Sequence, residues 1–139
     1  MSLSGLKRRR DSYRKDISEE SSKLEDYRAK AKALASLYER MKEKKSEMKS
    51  LEKSLDSFVG QSYEFWEGNV YKTRYKNTAK NELVENGYGK MITIIDNNLD
   101  EINTKRAYYE NLVYETEGII GKLHSCLNSV ITEIENWVN

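Results

Sequence analysis

The sequence contains no proline, and its 139 residues include one cysteine and one histidine. Because proline marks loops and interrupts helices, a chain without it is typical of nearly continuous helix. No stretch shows the strict alternation of apolar and polar residues that a half-buried strand requires. These absences predict an all-α fold.

The residues that carry most chemistry are equally scarce. A single cysteine excludes an intramolecular disulfide and a zinc site built on cysteines. His124 and Cys126 lie two residues apart, so on a helix their side chains point to different faces. Gly87-Tyr88-Gly89 lacks the preceding strand and the lysine of a phosphate-binding loop. We therefore expect no catalytic residue, no metal site, no cofactor and no enzymatic activity.

Long apolar runs are also missing. No stretch approaches the roughly 18 consecutive apolar residues that a membrane-spanning helix needs. The N-terminal residues lack the apolar core and cleavage site of a Sec-type signal peptide. We expect no membrane span and a cytoplasmic location, with any co-secretion following a leaderless route.

A repeat of 3.5 residues runs through the first half of the chain, which is a coiled-coil signal. Steps of three and four residues from Leu3 define the d-like positions Leu6, Tyr13, Glu20, Tyr27, Leu34, Met41, Met48 and Leu55. The a-like positions are Leu3, Arg10, Ile17, Leu24, Ala31, Tyr38, Lys45 and Glu52. An ordinary helix of 3.6 residues per turn outruns this repeat, so we expect the apolar stripe to drift to Leu37, Leu51 and Phe58.

The second half carries a cleaner apolar stripe, interrupted only by Arg106 and Thr116. Its members, which we predict to bind a partner, are Tyr88, Ile92, Ile95, Leu99, Ile102, Tyr109, Val113, Ile120, Leu123, Leu127, Val130, Ile134 and Trp137. The flanking residues Met91, Leu112, Ile119, Ile131 and Val138 widen it. Such a broad stripe exceeds what one helix covers, so we expect a further partner.

The two repeats predict an antiparallel, elongated helical hairpin or coiled coil in one domain, residues 1–139. Helix one spans about 4–58, a corner spans 59–68, and helix two spans about 69–137. Gly60, Gly68 and the large Trp66 suit a packed corner. Two glycines at 87 and 89 weaken a helix, so we expect a kink or short break at 86–89. Gly118 and Gly121 either admit another backbone or merely loosen the helix.

A basic cluster, Lys7-Arg8-Arg9-Arg10 with Arg14 and Lys15, lies near the N-terminus. One interpretation is a surface for nucleic acid or anionic lipid. The other is a solvated helix face, because acidic residues follow closely at Asp11, Asp16, Glu19 and Glu20. Mixed signs favour the solvated face, so we predict no nucleic-acid partner.

The order of helix, Trp66-Glu67-Gly68 corner and helix resembles the WXG-type, ESAT-six-like superfamily of type VII secretion. The opening Met1-Ser2-Leu3, the length and the C-terminal repeat are most similar to the YwqH-like family. Members of that family are small helical proteins encoded beside LXG toxins in Gram-positive bacteria. The architectural resemblance covers the whole chain, whereas the strict motif is Trp66 and Gly68.

This resemblance implies a non-enzymatic targeting chaperone that binds the helical N-terminal domain of an LXG toxin. A second small helical protein is a further expected partner. Export signals in this system typically place an acidic residue four positions after a tyrosine in the second helix. No tyrosine after Gly68 has that spacing, so we expect a partner to supply the signal. The alternative is a self-associating coiled-coil protein, such as a homodimer, that is itself exported.

Overall fold

The computed structural model describes residues 2–60 and 77–139, and within them every regular element is helical. Helix α1 spans Leu3–Gly60, a π-helical segment spans Ala79–Gly89, and helix α2 spans Lys90–Val138. The chain is an all-α helical hairpin, which confirms the predicted fold class. The corner motif Trp66-Glu67-Gly68 lies outside the described residues.

The start of α1 follows from a side-chain cap. Ser2 precedes the helix, and its Oγ accepts a hydrogen bond of 3.1 Å from the backbone N–H of Gly5. The Ser2 carbonyl also accepts a bond of 3.0 Å from the N–H of Leu6. A serine in this position satisfies donors that the first helical turn leaves free, and such a cap contributes about 1 kcal/mol.

Two compact units each take one stretch from both helices. Unit 1 comprises Met1–Leu34 and Lys105–Asn139, and unit 2 comprises Ala35–Thr104. In unit 1, Tyr27 packs on Tyr109 with ring centroids 6.3 Å apart. Arg9, much earlier in α1, lies in the electrostatic field of Glu133, much later in α2. The two stretches of unit 1 are therefore antiparallel.

Unit 2 has the same antiparallel order. Lys45 of α1 forms an ion pair with Asp96 of α2. Further along α1, the Glu52 carboxylate approaches Gly89, where an added Cβ would lie 3.9 Å from Glu52 Oε2. Among the described residues of unit 2, the buried apolar side chains are Val59, Val84, Ile92 and Leu99.

The predicted 3.5-residue repeat of α1 is confirmed, because every a-like and d-like position is half-buried or buried. The predicted drift is wrong at its far end. Leu51 is 54% exposed and Phe58 is 59% exposed, whereas Leu55 is half-buried and Val59 is buried. The inward positions are set by the pairing with the second helical stretch, so α1 keeps its repeat even where Glu52 occupies an inward position.

The expected interruption at residues 86–89 takes the form of a change in helix type. The chain stays helical through both glycines, as a π-helix, and α-helical geometry begins at Lys90. At each glycine, the carbonyl oxygen of the residue five positions earlier lies close to the backbone. An added Cβ would lie 3.3 Å from the Glu82 oxygen at Gly87 and 3.4 Å from the Val84 oxygen at Gly89. No glycine among the described residues has a positive φ.

The π-helix brings apolar residues to the inward face. Counting back from Ile92 with α-helical spacing would turn Glu85 and Asn81 inward. The wider π turns instead make Val84 7% exposed and leave Ala79 half-buried. Exchanging two inward polar side chains for a buried valine explains why this rare geometry forms here.

Candidate partner-binding surface

The predicted partner-binding stripe packs inside the hairpin. Three of its members, Ile92, Leu99 and Val130, are at most 9% exposed. The half-buried members are Tyr88, Ile95, Ile102, Tyr109, Val113, Ile120, Leu123, Leu127 and Ile134. Trp137 differs, with 59% of its surface exposed. A partner of the folded hairpin therefore meets only the outer edges of this stripe, and partner binding by these residues stays a prediction.

One side of unit 1 is defined by an ion pair between the helices. Arg28 Nη2 lies 2.7 Å from Glu117 Oε1, and both side chains are about half exposed. Steps of seven residues keep the same side in a coiled coil. We name this side the Arg28 flank, with Lys7, Arg14, Ser21 and Arg28 on α1 and Glu117, His124, Ile131 and Val138 on α2.

The opposite side of unit 1 is defined by a cation–aromatic contact. Lys30 Nζ lies 5.5 Å from the ring centroid of Tyr109. A hydrogen bond with Asp26 raises the pKa of Lys30, so its ammonium group stays charged over the ring. We name this side the Lys30 flank, with Arg9, Asp16, Lys23 and Lys30 on α1 and Lys105, Leu112, Ile119, Cys126 and Glu133 on α2.

Apolar side chains of α2 remain uncovered on the Lys30 flank. Tyr108 is 56% exposed, and its ring is nearly perpendicular to that of Tyr109, with centroids 5.2 Å apart. Leu112, one turn later, is half-buried, and Ile119 is 46% exposed. These three residues follow helical spacing, with Glu115 between Leu112 and Ile119. They form the exposed apolar edge that the width of the predicted stripe implied.

Unit 2 exposes apolar side chains on both of its helical stretches. Leu51 and Phe58 belong to α1, and Met91 and Ile94 belong to α2. Each of the four is between 49% and 59% exposed. Such residues mark an interaction site only where they form a contiguous patch, and singly exposed apolar side chains are ordinary surface.

Gly118 and Gly121, the glycines of α2 in unit 1, are not packed against any described residue. An added Cβ at Gly118 or Gly121 would meet nothing within 4 Å. Tyr114, one turn before Gly118, is 70% exposed on the same face. The hairpin therefore leaves open the two interpretations of these glycines, since no described residue approaches either of them.

The described residues show no arrangement for metal chemistry. They contain no group of three or more histidine, cysteine, aspartate or glutamate side chains that could hold a metal ion. Cys126 is a free, exposed cysteine. Among the same residues, no helix has the length and apolar content needed to cross a bilayer.

No family model matches the sequence, and no curated protein or solved structure matches the chain. The similarity to the WXG-type and YwqH-like proteins therefore remains a resemblance in motif and architecture.

Two features of the contact between the helices were not predicted from the sequence: the ion pairs that join them and the buried position of Val84. The pairs Arg28–Glu117 and Lys45–Asp96 join residues far apart in the chain, and many lysines and glutamates offer equivalent partners. The inward position of Val84 had a signal in the sequence. Ala79, Val84, Tyr88 and Ile92 follow one another at intervals of five, four and four, wider than α-helical spacing.

Proposed function

We propose that this protein is a non-enzymatic targeting chaperone that binds the helical N-terminal domain of an LXG-type toxin for type VII secretion. The observation that carries the proposal is the exposed apolar edge of Tyr108, Leu112 and Ile119 in unit 1. A helix of the toxin domain packs along this edge, where it also meets the Lys30 flank of α1. Family resemblance through Trp66 and Gly68 supports the choice of partner.

The thin interior of the hairpin supports the same proposal. The buried apolar side chains of the described residues are Leu6, Val59, Val84, Ile92, Leu99 and Val130. No described side chain reaches complete burial. The seam is the line of inward side chains along which the two helices pack. With only two helices, the outer parts of these side chains remain in water, and further helices in a bundle would cover them.

The decisive experiment is co-expression with the N-terminal domain of the LXG toxin encoded beside this protein, followed by size-exclusion chromatography. We expect one stable complex. The variant Ile119→Glu places a charge in the centre of the apolar edge and should weaken binding about 30-fold or more, the effect of losing an interface hot spot. Titration calorimetry measures the change.

Tyr114→Glu is the matched control, because it adds the same charge to α2 at an exposed position outside the Lys30 flank. We expect it to bind the toxin domain like the unsubstituted protein. The proposal fails if the two proteins elute separately at both low and high salt. Light scattering that finds a stable homodimer with no affinity for the toxin domain would instead support the self-associating, exported alternative.

A further inference from the structure

Basic residues near the start of α1 lie on one side of unit 1, away from two of the acidic residues that follow them. Lys7 and Arg14 lie on the Arg28 flank, and the exposed Arg8 follows Lys7 in the sequence. Asp16 lies on the Lys30 flank, and Glu19 is one turn before Lys23 on that same side. Both flanks carry charges of each sign, but Asp16 and Glu19 do not offset Lys7 and Arg14.

Apolar residues at the end of α2 share this basic side. Ile131 is half-buried and Val138 is 63% exposed, and both belong to the Arg28 flank. Trp137 is not part of this side, because it lies four steps of seven residues after Tyr109, in the column that Lys30 contacts. Because the helices are antiparallel in unit 1, the last turns of α2 lie beside the first turns of α1. The result is a surface with cationic and apolar parts next to each other.

Little negative charge offsets this surface. Asp11, which lies between the basic residues, is bonded to Arg10 at 3.0 Å. Near the end of α2, the exposed Glu135 lies three residues before Val138 and also contributes negative charge to this side. Lys7, Arg8 and Arg14 therefore leave the surface net positive. We name it the basic face, and it consists of Lys7, Arg8, Arg14, Ile131 and Val138.

We propose that the basic face binds the surface of a bilayer that contains anionic phospholipids. Lysine and arginine side chains contact lipid phosphates, and each contributes to attraction by a negatively charged leaflet. Val138 enters the boundary between headgroups and acyl chains, as the apolar side of an interfacial helix does. A nucleic acid would use the same cations but would leave Ile131 and Val138 without a role, so the observations favour lipid.

This inference is independent of toxin binding, because the basic face and the apolar edge of Tyr108, Leu112 and Ile119 lie on opposite sides of unit 1. It also involves no spanning segment. The protein lies on the bilayer, held by charge and by a few apolar side chains.

Co-sedimentation with phosphatidylglycerol–phosphatidylcholine vesicles tests the proposal, with pure phosphatidylcholine vesicles as the neutral comparison. We expect binding to the anionic vesicles alone, with an affinity that falls as salt is raised. Lys7→Glu with Arg14→Glu should lower the bound fraction about ten-fold or more.

Lys42→Glu with Lys49→Glu is the matched control, because it makes the same change of charge at exposed positions of α1 in unit 2. Unchanged binding by this control supports the basic face. Equal losses from the two double variants would show a response to net charge and overturn the proposal. So would the absence of sedimentation with the anionic vesicles, or binding to a single-stranded oligonucleotide without binding to vesicles. Circular dichroism of each variant confirms that the helices are retained.

Discussion

Units 1 and 2 share one repeat on α1, yet the helix that packs on it differs between them. In unit 1 the second stretch is regular α-helix, with Val130 buried against the seam. In unit 2 it begins as a π-helix, which contributes the buried Val84. The comparison shows two responses to inward polar positions. In Ala79–Gly89, where α-helical spacing would turn two polar residues inward, the backbone adopts wider turns. Helix α1 instead keeps its repeat with Lys45 and Glu52 at inward positions.

The cross-helix polar contacts also differ between the units. Arg28 and Glu117 of unit 1 form their ion pair with side chains 56% and 44% exposed. In unit 2 Lys45 occupies an a-like position, and its side chain is only 24% exposed while paired with Asp96. Unit 1 thus places its ion pair at the rim, whereas unit 2 draws a lysine toward the seam. Three sets of substitutions test how far the two units differ.

The largest effect is expected from truncation of the seam. Leu6→Ala in unit 1 and Leu99→Ala in unit 2 each remove a side chain that is at most 7% exposed. Each should lower the free energy of unfolding by about 2–3 kcal/mol, the lower part of the usual range, because the surrounding seam is half-exposed. Urea denaturation measures this loss.

Hydrogen exchange then locates the loss. If the units open separately, each variant should lower amide protection mainly in its own unit. Equal loss of protection along both helices from either variant would show that the hairpin opens as one.

Glycine-to-alanine substitutions should have effects of opposite sign in the two units. Gly118→Ala in unit 1 adds a methyl group to open space and should stabilise the protein by about 0.5–1 kcal/mol. Gly87→Ala in unit 2 places its Cβ 3.3 Å from the Glu82 carbonyl oxygen, and that contact should cancel the gain. Thermal unfolding of both variants provides the comparison. An equal rise in Tm for the two would contradict the close π-helical packing at Gly87.

The smallest effects are expected from the two ion pairs. A double-mutant cycle on Arg28 and Glu117 should give a coupling of about 0.2–0.5 kcal/mol, because both side chains are well exposed. The cycle on Lys45 and Asp96 should give a larger coupling, up to about 1 kcal/mol. Both should shrink as salt is raised. A coupling for Arg28–Glu117 that exceeds the one for Lys45–Asp96 would reverse the proposed difference.

The sequence was sufficient to predict the seam of the hairpin. The positions taken in steps of three and four from Leu3 and Tyr88 are inward in the structure, with Trp137 as the exception. Polar residues such as Arg10 and Lys45 keep inward positions because a two-helix seam leaves room for long side chains to reach water. A repeat over many turns is a strong signal because each further turn repeats the same geometric requirement.

The course of the stripe near Leu51, the helix type at residues 86–89 and the exposed edge depend on how the two helices pack, which the spacing of residues in the sequence does not specify. The expected drift to Leu51 and Phe58 followed the ideal turn of an isolated helix, but pairing held α1 to its repeat. The expected break at residues 86–89 came from the low helix propensity of glycine. In the folded chain, burial of Val84 outweighs that preference. The candidate surface was predicted as the centre of the stripe, whereas the structure leaves its edge at Tyr108 and Ile119 exposed.

The π-helix has a consequence for how this chain can change in length. Each π turn takes up about one residue more than an α turn, so the 11 residues of Ala79–Gly89 hold about two more than an α-helix covering the same arc. Removing about that number within the segment would restore α-helical geometry over the same arc and leave α2 in register. Relatives of this protein that differ in length should therefore have insertions or deletions here.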